Sequence, residues 1–274
     1  MKVELKTWGQ LGVATALAGL TLTGCAEEAA EDGGDAAQVA EAGEGGEGEG
    51  GEGEGGEGEG GVDTASAASD PIVFGSALAI AEAHVIAARD AYAAGETEAG
   101  AEMFAHPVSE VLLELQPVFS ELGVDDLSPL FTGASEAALQ GASADDIAGK
   151  ADGIVTALRA AEDKAPSSDA SAGKIAAGVV ADQIERAVEM YGQAADTTIY
   201  GPYLDGYGFY KAAQTTYERS ADAIKGEDAE LASTIEKTLG LLGEAFPGVE
   251  RPQNLDANQA ALSGASAGVL LAAS

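Results

Sequence analysis

The sequence predicts an all-α fold, an antiparallel helical bundle preceded by a signal peptide and a disordered Gly/Glu linker. Three observations carry this. Alanine dominates residues 62–274, and its apolar residues recur at three- and four-residue spacing almost throughout. No stretch there alternates with period two for long enough to make a strand. The first 61 residues have a different composition, which divides the chain into segments 1–25, 26–61 and 62–274.

Within the third segment each helix has its own signals. Pro71 opens the first, which runs to about Ala94 on a stripe of Phe74, Leu78, Ala81, Val85, Ala88 and Tyr92 and stops at Gly95. A short helix follows near 97–105. Pro107 then starts another that buries Val111, Leu112, Leu115, Phe119 and Leu122, with a kink expected at Pro117. Further helices are expected near 127–140, 144–164 and 168–195, then from Tyr203 to just before Gly226. Glu227 to Ala245 and Asn254 to Ala273 complete the set, the last capped by Asn254 or Asp256. Short loops between such segments predict antiparallel neighbours.

The N-terminus reads as a targeting segment. Lys2 and Lys6 make a short basic region, and Leu11 to Leu22 is an apolar run too short to span a bilayer. It ends in Leu22-Thr23-Gly24-Cys25, which resembles the bacterial lipobox. That resemblance implies a diacylglyceryl thioether and an acylated amine on Cys25, and several acyl chains anchor stably where one binds reversibly. The partner is then a lipid membrane. Ala26, rather than Asp, after the cysteine favours the outer membrane under enterobacteria-like sorting, with the domain outside the cytoplasm. The alternative is an ordinary secretory signal cut near Ala26, with Cys25 incidental.

Residues 26–42 hold almost no bulky side chain, and residues 43–61 contain only 12 Gly and 7 Glu. Such a composition builds no core and reads as a disordered, self-repelling tether. At roughly 5–6 Å times the square root of length it reaches about 30–36 Å.

Charge excludes several functions. The chain carries 47 acidic and 13 basic residues, a formal net charge of −34, which leaves no basic footprint for nucleic acid. Residues 62–274 account for 33 acids and 11 bases, about −22. A salt-adapted surface explains that acidity without any ligand. One cysteine excludes a disulfide framework and a CxxC zinc site. The sequence contains no G-x-S-x-G, P-loop or H-E-x-x-H, and no enzyme activity is expected.

Two constellations remain. The two histidines, His84 and His106, lie 22 residues apart in the first helical hairpin, and Glu110 and Glu114 follow His106 at i+4 and i+8. On a helix these three share a face, and an antiparallel hairpin brings Glu82 or His84 across from them. Imidazole with carboxylates suits iron or another divalent metal. The competing reading makes His106 a turn residue, His84 a core histidine, and both glutamates first-turn acids favoured by the helix dipole. The second constellation is aromatic: Tyr200, Tyr203, Tyr207, Phe209 and Tyr210 cluster with three glycines and Asp205. Tyr203, Asp205 and Tyr207 can line a ligand pocket, or the rings can pack a helix N-terminus against the bundle.

The stretch from Tyr191 through Tyr200-Gly-Pro-Tyr203-Leu-Asp205-Gly-Tyr207-Gly208-Phe209 to Ala245-Phe246-Pro247 resembles part of certain bacterial extracytoplasmic helical domains. These are found with iron permeases and are similar to imelysin-type lipoproteins. The resemblance covers about 60 residues. It implies a role in iron or other metal acquisition, with a metal transporter or another envelope protein as partner. The imelysin pattern has His-x-x-Glu, whereas His106 is followed by Glu110 at His-x-x-x-Glu, so the family's metal ligands do not carry over directly.

Overall fold

The structure is a computed structural model and describes residues 63–274. The signal segment 1–25 with Cys25, and the tether 26–61, lie outside the described residues.

The described residues form helices and no strand, as periodicity predicts. The helices are α1 (Thr64–Ala67), α2 (Pro71–Ala94), α3 (Thr97–Pro107), a π turn (Val108–Leu112), α4 (Leu113–Leu122), α5 (Ser128–Leu139) and α6 (Ala144–Glu162). Then come α7 (Ala172–Ala195), α8 (Gly201–Glu227), α9 (Ala229–Ala245) and α10 (Gln259–Ala273). Several of their starts are set by side-chain caps. Asp70 accepts from the N–H groups of Ile72 and Val73, Ser143 from Asp146, Ser171 from Lys174, and Asp228 from Glu230 and Leu231. The last helix begins later than predicted, because Asn258 takes the cap by accepting from Ala261 N–H.

Helix α2 is the axis of the bundle. It is long and apolar enough to cross a membrane, yet 83% of its most apolar window is buried by other helices. A helix that is apolar all round belongs in a core. Helices α3 and α8 run antiparallel to it: Gly100 meets Ala88 and Tyr92 while His106 meets His84, and Gly208 meets Ala83. Helix α7 packs antiparallel on α8, with Gly173 against Ala223 and Gly206 against Met190, and α10 covers α7 and α9.

The predicted break at Pro107 does not occur. Pro107 and Val108 are both in right-handed helical conformation, and α3 continues through the π turn into α4. Proline has no N–H to give to the preceding turn. The helix passes it with an i→i+5 turn, in which Leu113 N–H donates to Val108 O. His106 is therefore a mid-helix residue rather than a turn residue.

Candidate metal centre

Three helices bring the ligand-bearing side chains together. His84 comes from the middle of α2, His106 from the last turn of α3, Glu110 from the π turn and Asp205 from the first turns of α8. Two glycines make this close approach possible. A Cβ on Gly208 would sit 2.5 Å from Ala83 O, and one on Gly100 would sit 2.9 Å from Ala88 O, so any other residue would hold α8 or α3 away from α2.

His84 is 5% exposed, and its Nδ1 lies 2.9 Å from Ile80 O. A carbonyl only accepts, so Nδ1 carries the proton and Nε2 is the nitrogen turned to the cluster. Glu110 Oε2 is 3.3 Å from that Nε2, and Asp205 Oδ1 is 3.6 Å from it. Glu110 Oε1 is also 3.6 Å from His106 Nδ1, so this carboxylate spans the two imidazoles. The ring centroids of His84 and His106 are 5.8 Å apart, and Phe209 stands edge-on to His84 at 5.8 Å. Glu102 Oε1 lies 3.8 Å from His106 Nε2 at the exposed rim.

Electrostatics reflect this crowding. Burial alone would depress the His84 imidazolium, but Glu110 and Asp205 more than offset it and raise its pKa above the ordinary value. Burial pushes the Glu110 carboxyl up, and the His84 and His106 rings outweigh that and hold it below the usual range. For Asp205 burial dominates over the same imidazoles, and its pKa is raised. Its Oδ1 is buried and has no hydrogen-bond partner among the described residues. His84 and Asp205 thus both hold a proton more tightly than in solution, at a point where one cation could take its place.

The donor geometry fits such a cation. One ligand atom each from His84, His106 and Asp205 lies within 4.8 Å of the others. Metal–N and metal–O bonds of about 2.1 Å in a tetrahedron require ligand spacings of about 3.4 Å. The 3.3 Å separation of His84 Nε2 from Glu110 and the 3.6 Å one from Asp205 are of this size, and a bound ion would draw the wider His84, His106 and Asp205 set inward. Two imidazoles with carboxylate oxygens suit zinc, iron or manganese.

The chain matches no family model, no curated protein and no solved structure. The site therefore rests on its own geometry.

Of the predicted ligands, His84, His106 and Glu110 converge, and Glu114 does not join them. Glu110 lies inside the π turn, Val108–Leu112, whereas Glu114 stands a further turn along the helix, about 12 Å along the axis from His106 at about 1.5 Å per residue, too far to share one ion with it. Asp205 belongs to this cluster rather than to a tyrosine pocket. Tyr203 is fully buried, donates to Gly248 O at 2.7 Å and leans on Phe246, and burial pushes its hydroxyl up to about 12. Tyr207 donates to Asp90 Oδ2 at 2.7 Å. Both hydroxyls tie α8 to its neighbours, so the aromatic cluster is packing. Gly208, three residues after Asp205 and beside Phe209, was the signal that Asp205 would be drawn against another helix.

Proposed function

We propose that this protein is a membrane-anchored, extracytoplasmic lipoprotein whose acidic helical domain binds a metal ion for uptake, iron being favoured. Binding, and no chemical transformation, is its task. The observation that carries this is the convergence of His84, His106 and Asp205 from three helices, with Glu110 spanning the two rings. Half-exposure supports exchange: His106 is 30% exposed, so an ion held there is reachable from solvent. A domain charge near −22 raises the local cation concentration at its surface. The lipobox-like Cys25 and the Gly/Glu tether would let the domain deliver its cargo to a transporter in the same envelope.

Metal content and melting curves of the purified protein, before and after chelation, test this. A near-stoichiometric ion is expected, and refilling with Fe(II) to about 100 times Kd should restore about 2.7 kcal/mol, or roughly 5–10 °C. His106→Ala and Asp205→Asn should each remove that gain while leaving the chelated melting curve nearly unchanged. A protein without bound ion, whose melting is indifferent to added iron, zinc and manganese, would sink the reading. The imidazole–carboxylate contacts are also self-sufficient without an ion, which favours a second reading as an envelope interaction module. In that case a pull-down from solubilised envelope recovers a stoichiometric partner with or without chelator.

A further inference from the structure

Some ten residues along α2 from His84, about 15 Å at the helical rise, a separate cavity of about 280 Å³ opens among α2, α7, α8 and the α6–α7 connection. Its floor is apolar, formed by Phe74, Ile175 and Val179. One face of α8 supplies its polar end, because Thr216, Arg219 and Ser220 stand at i, i+3 and i+4. Thr216 is 4% exposed, and its hydroxyl has no hydrogen-bond partner among the described residues. A buried, unpaired donor of this kind is costly unless something arrives to accept from it.

Arg219 is the second donor at this end, and its ion pair with Glu162 is a long one. Its two terminal nitrogens reach Glu162 only at 3.3 and 3.4 Å. Glu162 is held more closely by Arg159 Nη1 at 2.6 Å, and Arg159 also pairs with the buried Glu82. Two carboxylates and two guanidiniums alternate through this network, so Glu162 keeps a counter-ion if Arg219 turns away. Donors at one end and hydrocarbon along the floor match an acceptor head on an apolar body. Glu162 also lines the cavity, but Arg159 neutralises it; an amine would meet the Arg219 guanidinium as a like charge, and an alcohol would leave it poorly matched. The volume is below that of sites for drug-sized molecules, which limits the ligand to a small one.

We propose that this cavity binds a small amphipathic carboxylate, its head on the Arg219 guanidinium and the Thr216 hydroxyl and its hydrocarbon along Phe74, Ile175 and Val179. The site is independent of the metal centre. Titration of the intact chain with hexanoate, hexanol and hexylamine, followed calorimetrically, tests it. Hexanoate should saturate a single site, and the alcohol and the amine should bind about tenfold more weakly or less. Arg219→Met should weaken hexanoate about tenfold and leave hexanol unchanged; the position is 38% exposed, so the variant keeps its fold. Ala176→Phe, which fills the cavity from α7, should abolish binding of all three. Equal affinity for hexanoate and hexanol, no saturable hexanoate binding, or an Arg219→Met variant that binds hexanoate as before would each overturn the proposal.

Discussion

Glu82, on α2, is 1% exposed and remains in the core because the Arg159 guanidinium reaches it from α6. Burial raises its carboxyl pKa, and Arg159 works against that rise. The net value of a buried pair is small, but removing one partner strands the other. Arg159→Met should therefore cost about 3–5 kcal/mol, measured by urea unfolding at neutral pH. A carboxyl whose folded-state pKa is raised costs stability above that pKa and ceases to cost it as pH falls below. Without Arg159 the rise is larger, so the deficit of Arg159→Met relative to wild type should shrink from pH 7 to pH 5. Adding Glu82→Gln should recover part of the loss and flatten the pH dependence. A deficit that is constant across that range would mean Glu82 is not the stranded charge.

Among the helices, the approach of α8 to α2 decides whether Asp205 reaches His84. In an open helix interior Gly→Ala stabilises by about 1 kcal/mol. At Gly208 the added Cβ would stand 2.5 Å from Ala83 O, a backbone atom that cannot swing aside. Gly208→Ala should instead destabilise by about 1–3 kcal/mol and weaken metal binding, while Gly240→Ala on α9, where a Cβ meets nothing within 4 Å, should stabilise. If Gly208→Ala also stabilises and binds metal normally, the close approach is not needed. This contact also marks where the sequence stopped being informative. Three- and four-residue periodicity and cap residues such as Asp70, Ser143 and Asp228 made the helices legible, because both signals are local. His84, His106 and Glu110 were legible as a group because one hairpin joins them. Asp205 was not, since its partner depends on which helix packs against α8 some 120 residues away. Glu114 was misplaced because a shared face is only an angular criterion: at i+8 it stands about 12 Å along the axis from His106, beyond the reach of a common ion.

At the scale of the whole domain, the metal centre couples stability to pH. His84 has a raised folded-state pKa, so its contribution is fully present below the ordinary imidazole value of about 6.5 and is lost as pH rises through the folded value. Glu110 has a lowered one, so its contribution is present above about 4.5 and is lost only as pH falls through its folded value. Asp205, raised by burial, works in the same direction as His84, since its folded form holds the proton more tightly. The chelated protein should accordingly be most stable in mildly acidic solution and lose melting temperature as pH rises above about 6.5 and through the raised His84 value. Most surface carboxylates stay ionised throughout that window, so the general repulsion of a −22 domain changes little across it. A metal ion takes the proton's place and binds better as the His84 imidazole deprotonates, so in its presence the gain in melting temperature should grow over the same interval. The two curves, with and without chelator, should diverge as pH rises. His84→Gln keeps a polar group of similar size but cannot titrate, and it should remove both the alkaline loss and the divergence. Parallel curves in wild type, or an alkaline loss that survives in His84→Gln, would place the pH sensitivity elsewhere and separate the histidines from metal binding.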